Sequence, residues 1–175
     1  MAVAIQAFGI FFVVASLWSV KGQIRLQRAS HIIGSVESLV ATWNSENTLT
    51  LRKQVCQKMI EERTYFGSDS EELLEIFERL GMYERIGALP LDVIWEAFSW
   101  YVGHYHTLTQ EGLKELRDHH GDEFLFENFE ILAEKLQELS KEKGSISERT
   151  ENNKKLGRFL TSEIKTANTL LNIGQ

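Results

Sequence analysis

From Ala2 to Val20 the chain carries no charged side chain. At about 1.5 Å per residue, a helix over this run spans roughly 28 Å, close to the roughly 30 Å hydrocarbon thickness of a bilayer. The only hydrogen-bonding side chains between Ala2 and Leu17 are Gln6 and Ser16, with Trp18 and Ser19 following near the end of the run. A secretory signal would place basic residues before the apolar core, and none precede it. Its nearest cleavage-like triplet, Val13-Val14-Ala15, would cut inside the apolar stretch. A buried helix of a soluble protein would normally keep one polar face. The expectation is therefore a single-pass transmembrane anchor over residues 1–22.

Trp18 stands near the end of the run, with Lys21, Arg25 and Arg28 just beyond it. An interfacial aromatic followed by positive charge marks the cytoplasmic membrane surface. This places the N-terminus outside and the bulk of the chain in the cytoplasm, with the basic residues against anionic head groups of the lipid bilayer. Steps of four and three residues put Ala2, Gln6, Gly9, Val13 and Ser16 on one stripe. Such a small and polar stripe either contacts another membrane helix, through another membrane protein or through self-association, or is simply tolerated by a lone anchor.

Behind the anchor the chain is polar and acidic in its middle. Formal charge runs +2 over residues 1–44, −10 over 45–143 and +2 over 144–175, making up the net −6. Nucleic-acid binders concentrate Lys and Arg, so binding to DNA or RNA is not expected. The single cysteine, Cys56, excludes an internal disulfide and a cysteine-based zinc site and suits a reducing compartment.

Apolar periodicity is helical throughout. Ile32, Val36, Leu39 and Trp43 prolong the anchor as one helix to about Asn44. Leu51, Val55 and Met59 mark a second helix over residues 49–65, ended by Gly67. Ser68 with Glu71 reads as a capping box for a third, carrying Leu73, Phe77 and Leu80 on one face. Pro90 opens a fourth, with an inward stripe of Ile94, Phe98, Tyr101, Tyr105 and Leu108, and His119-His120-Gly121 stops the segment that follows. Asp122 is the expected cap of the next helix, with Leu125, Phe129, Leu132, Leu136 and Leu139 inward until Gly144. Ser145 with Glu148 starts a last helix, with Leu156, Leu160, Ile164, Ala167 and Leu171 inward. The expected fold is all-α: an anchor over residues 1–22, a cytoplasmic bundle over 23–143 and a C-terminal helix over 144–175, with about five helices beyond the first.

No constellation carries recognisable chemistry. His104 and His106 are two apart and face different sides of a helix, whereas helical metal ligands need spacing of three or four. His119 and His120 read as a helix stop, Cys56 as packing beside Val55 and Met59, and Glu71, Glu72, Glu75 and Glu78 as a solvated face. A hydrolase built on His104, Glu96 and Asp118 is the sharpest catalytic alternative. Trp95 and Trp100 cannot share the face of Phe98 and Tyr105, so they either meet another helix or remain exposed for a partner. No catalytic, metal-binding or cofactor-binding residue is assigned.

Three segments in this order resemble the DUF4760 family of bacterial membrane-anchored helical proteins. They are the anchor running into Gln23-Ile24-Arg25-Leu26-Gln27-Arg28, the segment Gly87-Ala88-Leu89-Pro90-Leu91-Asp92, and Phe126-Glu127-Asn128-Phe129-Glu130-Ile131-Leu132-Ala133. The resemblance implies an all-helical module at the bacterial inner membrane and supplies no active residue. The expected function is a non-enzymatic interaction module or accessory subunit of a membrane complex. The alternative is an effector or sensor of a bacterial stress or phage-defence response at that membrane.

Overall fold

The computed structural model describes the backbone of residues 2–62, 66–144 and 153–173, with the side chains of all of these except 2–19, 22, 25, 153, 154 and 173. Every helix or strand assigned among the described residues is an α-helix: α1 (Ala2–Trp43), α2 (Glu46–Glu61), α3 (Ser68–Arg85), α4 (Leu91–His120), α5 (Glu127–Glu142) and α6 (Asn153–Ile173). The all-α expectation therefore holds among the described residues. The chain divides into two compact units, residues 1–38 and 39–175.

The first unit is the greater part of α1, which continues into the second unit and ends at Trp43, one residue short of the expected end. Among the described residues no helix is long and apolar enough to cross a membrane. The side chains of the uncharged run up to Ser19 lie outside the described residues, and so do the expected contacts at Gln6, Gly9, Val13 and Ser16 and the interfacial Trp18 and Arg25. Lys21 and Arg28 are exposed.

The second unit holds the core. α2 packs chiefly on α6, while α3 and α4 both pack on α5. Leu73, Leu74, Phe77 and Leu80 of α3, Ile94, Phe98, Val102 and Tyr105 of α4, and Phe129, Leu132 and Leu136 of α5 are all buried. At roughly 1.5–3 kcal/mol for each fully buried large apolar side chain, this face-to-face burial is what holds the helices together. Phe77 stacks on Phe129 at 5.5 Å between centroids, joining α3 to α5.

Several helix ends differ from the sequence reading. α2 starts three residues early. The cause is Ser45, whose hydroxyl accepts from the Thr48 backbone N–H at 3.3 Å and so caps the helix before Leu49 is reached. The same helix stops at Glu61, so Gly67 does not end it. Gly67 is instead the N-cap of α3, and the expected cap Ser68 is the first helical residue, its hydroxyl donating to Asp69 at 3.3 Å. Asp69 takes the ammonium of Lys58 at 2.6 Å, tying the two helix ends together. Asp122 accepts from the Phe124 backbone N–H at 2.9 Å and so shapes a turn without capping α5.

α5 is capped from another helix. Glu78 of α3 accepts from the backbone N–H of Asn128 at 3.3 Å and of Phe129 at 2.8 Å, and from the Asn128 side-chain amide at 2.6 Å. Unpaired N–H groups and the positive helix dipole favour a carboxylate at that position. Glu78 thus leaves the solvated acidic face expected for it. The approach that makes this possible needs Gly81, where an added Cβ would fall onto the carbonyl of Asn128. Gly121 ends α4 in the left-handed region at φ 64, its N–H bonded to the Arg117 carbonyl, as expected of the His119-His120-Gly121 stop. The Ser145 and Glu148 capping box lies outside the described residues.

Candidate functional site

The strongest concentration of polar chemistry in the second unit is inside it. On α2, Thr48, Arg52, Val55 and Met59 recur at helical spacing on the buried face, and Arg52 is wholly enclosed. On α6, Phe159, Glu163 and Ala167 do the same, so the pairing of these two helices brings an Arg and a Glu together in the interior. The guanidinium donates from Nε at 2.9 Å and from Nη2 at 2.7 Å to the same Glu163 oxygen, Oε2. Its Nη1 donates to the Trp43 carbonyl at 3.2 Å, satisfying an orphan acceptor at the end of α1.

Tyr105 of α4 donates its hydroxyl to Glu163 Oε2 at 3.3 Å, and Cys56 Sγ lies 3.4 Å from that hydroxyl. The guanidinium sits over the Trp43 ring at 4.2 Å and faces Tyr101 at 5.2 Å, a cation–π roof over the charged pair. Trp43 in turn packs against Phe77, Phe98, Tyr101 and Tyr105, with centroids 4.9 to 6.3 Å away.

The electrostatics of this cluster are those of a sealed clasp. Burial pushes the Cys56 thiol up to about 12, because a thiolate there would lose its water and face Glu163. Burial likewise raises Tyr105 well above the ordinary phenol value, reinforced by Cys56 and Glu163. Both groups therefore stay protonated at neutral pH. The Arg52 Nε, Arg52 Nη2 and Tyr105 hydroxyl donors converge on Glu163 Oε2. The open groove of about 670 Å³ on the outer side of α2 and α6 is lined by Ile60, Gly157, Arg158, Thr161, Ser162 and Lys165, none of which belongs to the cluster.

Sequence reading assigned Cys56 to packing, and the structure buries it as a protonated thiol. Arg52 and Glu163 were not singled out. The available signal was that each is a charge set within an otherwise uncharged stripe, and that the two have opposite sign. Such charges are rare in an interior unless paired.

The other expected residues are dispersed. His104 holds the Trp100 carbonyl at 2.8 Å and stacks on Phe159 at 4.3 Å, whereas His106 meets Phe129 edge-on at 5.7 Å. Among the described residues no group of three or more His, Cys, Asp or Glu is placed to hold a metal ion. Glu96, His104 and Asp118 all lie on α4. Helix rise separates the first two by roughly 12 Å and the last two by roughly 21 Å, so they form no triad. Glu96 instead lies 3.9 Å from Lys143. Of the aromatics left open, Trp95 is taken into the fold, donating to Ser140 at 2.8 Å beneath the Lys143 ammonium. Trp100 stays 54% exposed.

No family model, no curated protein and no solved structure matches the chain. The resemblance to the DUF4760 family rests on its three sequence segments.

Proposed function

We propose that this chain is a membrane-anchored, non-catalytic interaction module, in which the run from Ala2 to Val20 crosses the bacterial inner membrane and the helical body faces the cytoplasm. The observation that carries the reading is the run itself, nineteen residues without a charge, prolonged by a helix that continues unbroken to Trp43. A bare apolar segment of this length is at its lowest free energy in lipid. Lys21, Arg25 and Arg28 then act as the cytoplasmic stop, and the stripe through Gln6, Gly9, Val13 and Ser16 is the surface offered to another membrane helix.

Support for a binding role over a catalytic one comes from the body. Its buried reactive groups are spent on one another, and its carboxylates at Glu78, Glu84 and Glu163 are used in joining helices. A helical scaffold of this kind works by presenting surfaces.

Fractionation of cells expressing the full chain tests the proposal. The protein is expected to stay in the membrane pellet after an alkaline carbonate wash, to be released by mild detergent at a mass above that of one chain, and to expose a C-terminal tag only after the inner membrane is breached. Recovery of the intact chain in the soluble fraction after gentle lysis overturns the reading.

A further inference from the structure

Between the uncharged run and the core, α1 carries an apolar face of a specific kind. Lettered as heptads abcdefg from Leu26, residues Leu26, Ile33 and Val40 fall at a, Ala29 and Val36 at d, and Ile32 and Leu39 at g. Every residue from 26 to 40 at b, c, e or f is polar or glycine. Among the described residues Leu26 is 73%, Ile33 58% and Val40 37% exposed, while Ile32, Val36 and Leu39 are half-buried. The polar face is served locally, with Ser35 and His31 hydrogen-bonded along the helix at 3.5 Å.

We infer that this face is the seam of a parallel two-stranded coiled coil, and that its occupant is α1 of a second copy of this chain. A strict seven-residue repeat keeps an apolar seam in line with a partner helix that supercoils with it, which is the geometry of helix pairing. The seam is compatible with itself. The only formal charges from residue 26 to 40 are Arg28 at c and Glu37 at e, both outside a, d and g, so pairing with a copy sets no like charges opposite one another in the seam. A partner chosen by charge would find nothing on the seam to read. Ala29 at d is small enough to let the two backbones approach.

The inference rests on the anchored reading above, which supplies what a short seam lacks. Two heptads are marginal for free helices in water. Two chains inserted in one membrane in the same direction meet already parallel and in register, at a high effective concentration.

The buried thiol of Cys56 allows a clean test, because the native chain offers no reactive cysteine of its own. Single substitutions Ala29→Cys, Ile33→Cys, Val36→Cys and Val40→Cys on the seam, and His31→Cys and Ser38→Cys on the outer face, are made in the full chain and oxidised in native membranes. Disulfide-linked dimers are expected at the seam positions at about fivefold or more the yield of the outer positions, as the a and d side chains of facing helices touch. Equal yields at all positions, or no dimer at any seam position, overturn the seam. A double substitution, Ile33→Glu with Val36→Glu, is expected to lower the detergent-solubilised mass to one chain with the denaturation midpoint of the body unchanged, and an unaltered mass counts against the inference. Loss of the chain from carbonate-washed membranes refutes the anchor. Retention there without seam crosslinks refutes only the coiled coil.

Discussion

Arg52 and Glu163 stand 111 positions apart in the chain and meet at 2.7 Å inside it, with side chains only 1% and 5% exposed. The pair is the polar centre of the α2 and α6 contact. Desolvating two charges costs several kcal/mol per ion, and their attraction offsets this only because Tyr105 and the Trp43 carbonyl complete the hydrogen bonding. Glu163 is the single carboxylate in the sequence of α6, so a shift of α6 along α2 would take the guanidinium's partner away.

Removing one partner strands the other charge. Glu163→Leu is expected to destabilise the body by about 3–5 kcal/mol, whereas the double variant Arg52→Met, Glu163→Leu regains most of that loss. Urea denaturation of the four members of the cycle measures this. Additive losses would show that the two residues do not act as a pair.

Cys56 supplies a reporter of unfolding. With its thiol at about 12 and its sulfur buried against Tyr105, it is expected to resist maleimide at neutral pH and to react fully once urea unfolds the chain. Rapid labelling of the native protein would show that the cluster is open to solvent.

Glu78 holds the start of α5 from a distance. Glu78→Ala is expected to cost about 1 kcal/mol, the typical loss on removing a helix cap. The earliest loss of amide protection is expected at Asn128 and Phe129, where the capped N–H groups open first. Hydrogen exchange reads both the size and the place of the change.

Gly81 keeps α3 and α5 in contact. In Gly81→Ala the new methyl meets backbone, which cannot swing aside. A loss of about 1–3 kcal/mol is therefore expected, although alanine is the better helix former. Gly34→Ala, with open space around the added methyl, is expected to be neutral or mildly stabilising.

His106 gives the body a dependence on pH. Burial against Phe129 lowers its pKa below the ordinary 6.5, with Glu130 and Glu134 partly opposing the shift. The unfolded chain therefore takes up the proton first, so stability is full above the unfolded value and declines as pH falls from about 6.5 toward the lowered folded value. Denaturation midpoints from pH 8 to 5 are expected to fall less steeply in His106→Phe than in the native chain. Identical slopes would remove the histidine from the account.

Local rules made much of this fold readable. The period of the apolar residues located the helices, because a helix buries one face and the spacing records which one. Gly121 at φ 64 shows where a local rule was sufficient. Where two competing rules applied, as at Ser45, Gly67 and Ser68, the ends came out displaced by a few residues. The set of helices, the uncharged first segment and the acidic middle could all be read from the chain, since propensity, hydropathy and charge belong to residues and their near neighbours. Tertiary packing alone settled that Arg52 would take Glu163, that Glu78 would cap α5, and that His104 and His106 would end on different aromatic rings. Those outcomes depend on which helix faces meet across long stretches of chain, a choice made by the packing of whole surfaces rather than by any segment that a local pattern can describe.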